Sequence, residues 1–391
     1  MPLTDFIYLD FQATTPIDPR VLEAMLPYFG ERFGNAASVQ HAAGRAASAA
    51  VEAAREQVAE SIGAHRREIV FCSGATEADS LALKGLTKGS ERVRLVVLAT
   101  EHPAVLEPVR SLHRSGYEVV ELGVDAAGQP SLLDLREAVD ERTLLVSVAA
   151  ANNEIGTLPR LGEIAEIAHE KGAYLHTDAA QAAGKVDLDV SRDGIDLLSL
   201  SGHKLYGPKG VGALYVRREL QPLIAPQIEG GGHERGLRSG TLNVPGIVGL
   251  GAAAQLAIAG REEEAERLQA LASRLLKRLR EEVDGVELNG PAERLPGNLN
   301  LRFPGVAAEA LIANCPELAI SAGSACSAAT PTPSHVLTAI GLDQEAAEQS
   351  VRIGIGRPTT DPEVDRAADV LVAAVNRICA ATSVSQEVGA R

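Results

Sequence analysis

The sequence predicts an α/β protein with a mainly parallel β-sheet, followed by a smaller α+β unit. Through the first two thirds of the chain, continuous apolar runs that resemble buried strands alternate with helical patterns. This alternation is typical of a parallel sheet covered by helices on both faces, and such sheets bind ligands beyond the carboxyl ends of their strands. After about residue 282 the pattern changes to short strand-like runs with few helices.

Short apolar runs predict the strands of this sheet, and helical patterns lie between them. The predicted strands are Glu68–Cys72, Arg94–Ala99, Thr143–Ala150, Ala173–Thr177, Asp196–Leu200 and Gly212–Val216. The predicted helices are Thr76–Leu86, Pro103–Ser115, Leu132–Val139 and Leu161–Lys171. A stretch rich in Ala, Leu, Glu and Arg, from Pro245 to about Glu282, predicts one further long helical segment.

The remaining third of the chain predicts the smaller unit. The runs EVDGVELNG, GNLNLRF, LAISAG and SVRIGI indicate short strands, and a helix is expected near Ala307–Ala313. An amphipathic pattern over Asp361–Cys379 predicts a final helix.

Composition and charge exclude several classes of function. The 391 residues include 37 basic and 52 acidic side chains, which gives a net charge of −15. Direct nucleic-acid binding is not expected, because it needs clustered Lys and Arg. Four cysteines without CxxC spacing favour a reducing compartment over a disulfide framework, and no metal site is expected. With no secretory signal and no apolar run near the ~18 residues of a membrane span, we expect a cytoplasmic protein.

The segment SLSGHKLYGPKGVG carries the first candidate site. A strand runs into a turn bracketed by glycines, which presents Ser201, His203 and Lys204 together. Lysine forms an imine with an aldehyde cofactor when desolvation lowers its basicity. The alternative is a surface lysine in an ordinary loop.

The segment AYLHTDAAQ carries the second candidate site. Asp178 falls at the end of an apolar strand, where an open sheet binds its ligand. Burying an aspartate is costly unless it is paired, and a pyridinium nitrogen would provide the pair. Gln181 lies three residues further on and is a candidate donor to the ring oxygen. The alternative is an aspartate that caps a helix.

Loops after three other strand-like runs, and one strand-like run itself, add candidates. In CSGATEADSL, a helix that begins near Thr76 would offer free N–H groups to a phosphate, or the segment forms only a capping box. His102, in TEHPAV, could stack on a flat ring or carry protons, or be structural. Asn153, in ANNEIGT, could bind ring or substrate. Arg352, in SVRIGIGR, could bind a substrate carboxylate, or lie on an edge strand.

Two loops rich in small residues complete the candidates. In GGGHERGLRSGTLN, glycines permit close backbone approach and Thr241 could donate to a phosphate, although a flexible surface loop would have the same composition. Cys326, in SAGSACSAATPTP, lies where small residues would allow the mobility and exposure that a nucleophilic thiolate requires. The other cysteines, Cys72, Cys315 and Cys379, lie in apolar contexts and are expected to be buried and inert.

These motifs together resemble those of one enzyme family. From Tyr8 to Thr360 the chain contains, in order, GATEADSLA, TEHPAVL, NNEIGT, HTDAAQ, SGHKLYGPKG, GGGHERGLRSGTLN and SAGSACS. It resembles the cysteine desulfurases of the NifS/IscS type, which belong to the class V aminotransferase group and have the type I pyridoxal-phosphate fold. The resemblance implies a mainly parallel seven-stranded sheet in a large domain over residues 15–258. A small α+β domain would comprise residues 1–14 and 259–391 and carry the catalytic cysteine loop.

The resemblance also implies a role for each matching residue. Lys204 would be the lysine that holds pyridoxal 5'-phosphate, with Asp178 at the ring nitrogen and Gln181 at the phenolic oxygen. His102 would stack on the ring and shuttle protons, and Cys326 would receive the sulfur as a persulfide. Asn153 and Arg352 would face the substrate. The phosphate would be bound by Ala75, Thr76, Ser201 and His203, and by Thr241 from the other subunit of a homodimer.

The activity implied by the resemblance is removal of sulfur from L-cysteine, leaving L-alanine and an enzyme persulfide. A sulfur-acceptor protein would take the sulfur for iron–sulfur assembly, tRNA thiolation or DNA sulfur modification, and the sequence leaves this choice open. The alternatives are a selenocysteine lyase, another transaminase of the same fold, or a sulfur-carrier scaffold without catalysis.

Overall fold

The computed structural model describes residues 6–88, 90–322 and 333–389, with side chains up to residue 381. Its strands are β1 (Ile7–Tyr8), β2 (Ile69–Cys72), β3 (Arg94–Leu98), β4 (Glu118–Leu122), β5 (Thr143–Ser147), β6 (Tyr174–Asp178), β7 (Leu197–Ser201), β8 (Gly212–Val216), β9 (Glu287–Leu288), β10 (Asn298–Arg302), β11 (Leu318–Ala319), β12 (Ser321–Ala322) and β13 (Ser350–Gly354). Its α-helices are α1 (Pro19–Met25), α2 (Ala42–Glu60), α3 (Ala75–Thr87), α4 (Pro103–Arg114), α5 (Leu132–Ala138), α6 (Leu161–Glu170), α7 (Val244–Ala259), α8 (Arg261–Glu282), α9 (Ala308–Ala313), α10 (His335–Ala339), α11 (Gln344–Glu348) and α12 (Asp361–Gly389).

A seven-stranded sheet forms the centre of the first part of the chain, in the order β2-β8-β7-β6-β5-β3-β4. The strands from β7 to β4 pair in parallel, whereas β8 is antiparallel to both of its neighbours. Strand β2 therefore runs in the same direction as β7. The predicted α/β class with a mainly parallel sheet is confirmed, and the carboxyl ends of six strands meet at one edge.

Three features of this part differ from the prediction. Strand β4 was not predicted, because two glutamates interrupt its short apolar run at the half-buried edge of the sheet. Helices α1 and α2 were not predicted either, since α2 is built mainly from alanine and shows no stripe of large apolar residues. The long helical segment is two helices, α7 and α8, which meet at Gly260 with a bend of 73°.

The second part of the chain is built on a four-stranded antiparallel sheet in the order β12-β13-β10-β9. Helices α8 and α12 pack against this sheet and share one hydrophobic core with it. Residues Ile7 and Leu9, at the start of the described chain, belong to this core, whereas the buried side chains of α7 belong to the core of the large sheet. The boundaries at 14/15 and 258/259 stay a prediction that these separate cores support.

Within the described residues, no single helix has the length and apolar character needed to cross a membrane. The bent pair α7 and α8 meets that measure of length and composition only when the two helices are taken together.

Candidate active site

A cavity of about 600 Å³ opens at the edge where the carboxyl ends of the parallel strands meet. Its walls come from the segments that end or follow β2, β3, β5, β6 and β7, together with residues 12–14 and Arg352 of β13. This is the location that an open parallel sheet offers to a ligand.

Ten of the twelve residues proposed from the sequence lie around this cavity. They are Ala75, Thr76, His102, Asn153, Asp178, Gln181, Ser201, His203, Lys204 and Arg352. Thr241 is exposed on the loop before α7 and does not line the cavity. Cys326 lies outside the described residues. The structure therefore places most of the candidates together, while their individual roles stay predictions.

Lys204 reaches the cavity from a short turn that directly follows β7. Its Nζ atom donates to the backbone carbonyl oxygens of Gln12 and of Ala13, the latter at 2.8 Å. The turn needs its glycines, because a Cβ on Gly202 would lie 2.8 Å from the carbonyl oxygen of Pro208. Two fixed carbonyls thus orient the lysine amine toward the cavity.

Asp178 ends β6 and is buried at the base of the cavity. Its Oδ1 atom accepts a hydrogen bond from the backbone N–H of Ala180 at 2.8 Å. Burial, together with the nearby carboxyl group of Asp79, raises the pKa of Asp178 to about 6. A cationic ligand group beside Asp178 would favour its ionised form, which is what a protonated ring nitrogen would provide. Gln181 is held beside it, donating from Nε2 to the carbonyl of Gln12 at 2.9 Å.

A buried polar chain that was not predicted lies on three neighbouring strands next to Asp178. His176, two residues earlier on β6, has its Nδ1 atom 2.8 Å from Ser147 Oγ and its Nε2 atom 3.1 Å from Ser199 Oγ. Its Nε2 atom also lies 3.4 Å from Oδ1 of Asp79 on α3. Burial lowers the pKa of His176 to about 4 and raises that of Asp79 to about 7. Between these pH values both groups are uncharged.

The N-terminus of α3 forms the end of the cavity that suits an anion. Gly74 occupies the N-cap position without a capping side chain, so the first N–H groups of the helix are available to a ligand. The capping box considered from the sequence is not formed, because no side chain caps the helix at Gly74; instead the N–H of Ser73 donates to Glu77 Oε2 at 2.8 Å. The charge of Glu77 is offset by Arg238, whose Nε atom donates to Oε1 at 2.7 Å. The segment therefore presents an uncapped helix start rather than a capping box.

His203 and Ser201 stand beside this helix end. The Nδ1 atom of His203 lies 3.1 Å from Thr14 Oγ1. Burial, together with the positive charges of Lys204 and Lys209, lowers the pKa of His203 to about 4. His203 is therefore neutral near pH 7 and can serve as a hydrogen-bond donor or acceptor rather than as a cation.

His102 is both a cavity residue and the N-cap of α4. Its Nδ1 atom accepts a hydrogen bond from the N–H of Ala104 at 3.1 Å, which places the proton of the neutral ring on Nε2. Burial lowers the pKa of His102, so the neutral form is favoured. A ring held in this way can stack on a flat ligand and carry a proton at Nε2.

The two asparagines of the ANNEIGT segment have different positions. Asn152 stabilises the loop, because its side chain donates to the carbonyl oxygen of Thr100 at 3.0 Å and accepts from the N–H groups of Glu154 and Ile155. Asn153 follows it in the cavity wall, and its backbone carbonyl oxygen accepts from Arg352 Nη1 at 3.2 Å. Arg352 also forms an ion pair of 2.8 Å with Asp10, a residue that was not proposed from the sequence.

The three described cysteines lie away from the cavity lining. Burial raises the pKa of Cys72 well above its usual value and that of Cys315 to about 11, so both are weak nucleophiles at neutral pH. Cys379 is exposed on α12, which corrects the expectation that it is buried. Within the described ranges, no group of three or more His, Cys, Asp and Glu residues could hold a metal ion.

Comparison with known proteins identifies one family. The family Aminotransferase class-V matches residues 7–367 of this chain. A curated protein named cysteine desulfurase IscS, from Anaeromyxobacter sp. (strain Fw109-5), is 51% identical over 375 residues, which are 95% of this chain and 93% of the relative.

Solved structures of similar proteins also superpose on most of this chain. A structure described as a NifS-like protein superposes with a TM-score of 0.89 at 36% identity, over 95% of this chain and 99% of the other. The structure of SspA in complex with cysteine superposes with a TM-score of 0.79 at 38% identity, over 89% of this chain and 98% of the other.

Proposed function

Because the chain belongs to the class-V aminotransferase family and is a cysteine desulfurase of the IscS type, we propose that the cavity beside Lys204 binds pyridoxal 5'-phosphate and L-cysteine. The products are L-alanine and a persulfide on Cys326, from which an acceptor protein takes the sulfur. One observation carries the assignment: a lysine amine, a buried carboxylate and an uncapped helix N-terminus converge on the same cavity.

The donor set fits a phosphorylated pyridine aldehyde. Asp178 is a buried carboxylate whose charge needs a cationic partner, and a protonated ring nitrogen supplies one. The uncapped start of α3, with Thr76, Ser201 and His203, suits a phosphate dianion. When bound, pyridoxal 5'-phosphate supplies an electron sink for the electrons released at the substrate carbon.

The residues of this chain perform the remaining tasks. Arg352 binds the substrate carboxylate, with Asn153 beside it in the cavity wall. His102, whose Nδ1 atom accepts from Ala104, would stack on the cofactor ring and carry a proton at Nε2, and Gln181 would donate its remaining amide N–H to the phenolic oxygen. The thiolate of Cys326 attacks the sulfur of L-cysteine, so the carbon–sulfur bond breaks as the sulfur–sulfur bond forms.

We place Thr241 at the phosphate of the partner subunit in a homodimer. Its exposure and its absence from the cavity lining of its own chain support this placement. The net charge of −15 argues that any nucleic-acid role passes through a partner protein. The sparse cysteine usage favours a reducing compartment, and we propose the cytoplasm.

The four single Cys→Ser variants test the reaction. Cys326→Ser keeps the shape of the side chain but replaces thiolate with a much weaker nucleophile. It should therefore bind the cofactor and change its absorbance on adding L-cysteine, but release no L-alanine. The variants of Cys72, Cys315 and Cys379 should keep activity, with some loss of stability where the thiol is buried.

The measurement is L-alanine formation, with the persulfide located by mass spectrometry of the parent protein. L-alanine produced by Cys326→Ser at the parent rate would exclude the desulfurase mechanism. It would favour a lyase or a transaminase, which need no nucleophilic cysteine.

A further inference from the structure

We propose that Asp10 is a positioning residue, which fixes the guanidinium group of Arg352 in the orientation that receives the substrate carboxylate. The inference rests on the proposed role of Arg352 in binding L-cysteine. The side chain of Arg352 is 3% exposed and that of Asp10 is 16% exposed, and Nη2 lies 2.8 Å from Oδ1. The two residues are 342 positions apart in the sequence, so their contact is made only by the fold.

The backbone holds Asp10 rigidly beside Arg352. Asp10 forms a β-bridge with Gly354, two residues beyond Arg352 on β13. The N–H of Gly354 donates to the carbonyl oxygen of Leu9 at 2.7 Å, and the N–H of Phe11 donates back to Gly354 at 3.3 Å. Gly354 permits this approach, because a Cβ there would lie 2.8 Å from the backbone nitrogen of Phe11.

The carboxylate of Asp10 is itself oriented. Its Oδ2 atom accepts from Ser321 Oγ at 2.8 Å, which leaves Oδ1 for Arg352. Ser321 stands opposite Arg352 in the register of β12 and β13, so the same sheet positions both partners of Asp10. This hydrogen bond turns the carboxylate toward one edge of the guanidinium group.

Arg352 keeps unused donor capacity for a ligand. Nη1 donates to the carbonyl oxygen of Asn153 at 3.2 Å and Nη2 to Asp10. Each of these two NH₂ groups carries a second N–H that can meet a ligand, whereas Nε is buried and has no hydrogen-bond partner within the described residues. A planar guanidinium binds a carboxylate through two parallel N–H groups, which demands a defined orientation of the plane. Asp10 supplies that orientation, and it also offsets the charge of Arg352 while the cavity is empty of substrate.

The test compares two ligands that differ only in the carboxylate. Ethylamine is L-alanine without its carboxylate, and the dissociation constants of both are measured by titrating the cofactor absorbance of the holoenzyme. Asp10→Ala should raise the constant for L-alanine about tenfold, the range expected for a hydrogen bond to a charged group, and leave that for ethylamine unchanged. The KM for L-cysteine should rise similarly, with kcat within about twofold of the parent.

Conservative and remote variants serve as controls. Asp10→Asn keeps an oxygen acceptor near Nη2 and should restore L-alanine binding to within about threefold of the parent. Ser321→Ala frees Oδ2 of Asp10 and should weaken L-alanine binding about twofold to threefold, so the proposal stays testable if Asp10→Ala does not fold. Asp365→Ala breaks an exposed ion pair with Arg274 and should change neither constant.

Arg352→Ala separates this inference from the proposed function. If Arg352→Ala binds both ligands as the parent does, Arg352 is not the carboxylate site and the assignment of that residue fails. If Arg352→Ala loses L-alanine binding but Asp10→Ala does not, only the positioning role fails. Equal weakening of both ligands, or tighter binding of L-alanine by Asp10→Ala, also overturns the positioning role, since Asp10 would then be structural or a competitor for Arg352.

Discussion

Asp79 is a carboxylic acid without exposed surface, and His176 beside it is equally buried. Burial accounts for both pKa values, because the charged form of each side chain loses hydration that the protein replaces only in part. At this site the protein buries a second acid close to Asp178, and the carboxylate of Asp79, once it ionises above about pH 7, disfavours the ionised form of Asp178. Asp79 therefore influences the protonation of Asp178, the residue that we place at the cofactor ring nitrogen.

The raised pKa of Asp79 predicts a pH-dependent stability. Since its pKa is about 7 in the folded protein, the folded state binds this proton more tightly than the unfolded chain does. The resulting stabilisation is present at low pH and is lost as the pH rises through about 7. Asp79→Asn removes this dependence, so its stability relative to the parent should increase from pH 5 to pH 8 by at least ~1 kcal/mol.

Urea denaturation at the two pH values measures this change. Asp365→Asn is the control, because Arg274 lowers the pKa of Asp365 and keeps it ionised at both. A stability difference for Asp79→Asn that is the same at pH 5 and pH 8 would contradict the raised pKa.

At the scale of elements, the loop between β8 and α7 is held by a buried ion pair. Glu234 accepts two hydrogen bonds of 2.7 Å from the guanidinium group of Arg55 on α2. It also accepts one of 2.8 Å from the N–H of Phe71 on β2. Glu234 and Arg235 adopt positive φ angles of 48° and 59°, which are unfavourable for residues other than glycine. The ion pair keeps the loop in this conformation, and the loop carries Thr241.

Breaking this pair should destabilise the protein strongly. Glu234→Gln leaves the buried guanidinium of Arg55 with only the half-exposed carboxylate of Glu52, 3.0 Å from its Nε atom, as a counter-charge. We expect a loss of about 3 kcal/mol in the free energy of unfolding, the lower end of the range for breaking a buried pair. Glu170→Gln is the matched control, because Glu170 pairs with Arg136 at 2.6 Å but both side chains are about half exposed. Its effect should stay below about 1 kcal/mol. Similar losses for the two variants, measured by urea denaturation, would contradict a structural role for the buried pair.

At the scale of the whole molecule, the proposed homodimer shares residues between its two sites. Lys204→Ala would inactivate the site of its own subunit, whereas Thr241→Ala would weaken the site of its partner. Mixed dimers that contain one subunit of each variant would therefore possess one site with both residues intact. Co-expression of the two variants with different affinity tags should yield heterodimers with about half of the parent activity, although each homodimer alone has little.

The measurement is L-alanine formation by the doubly purified heterodimer. Activity that is no higher than that of the homodimers would place Thr241 in the site of its own chain. An active monomer in sedimentation would rule out the shared site altogether.

The sequence determined the local elements and most of the candidate site. Six strands of the large sheet and the helices between them follow from apolar runs and turn residues that act over a few positions, so they were predictable. Because parallel strands place their carboxyl ends at one edge, residues such as Asp178 and Lys204 could be expected together from their positions at strand ends.

Only the tertiary structure decided the strand order, the antiparallel insertion of β8, and the contacts between distant segments. Edge strand β4 is half-buried, and its apolar pattern is too weak to predict a strand. The sequence does not distinguish Asp79 from an exposed acid on a helix, because its burial arises only when α3 packs on the sheet. The pair of Asp10 and Arg352 joins the two ends of the chain through the small sheet. These features depend on which surfaces are buried against each other, and burial is a property of the folded chain that no local pattern contains.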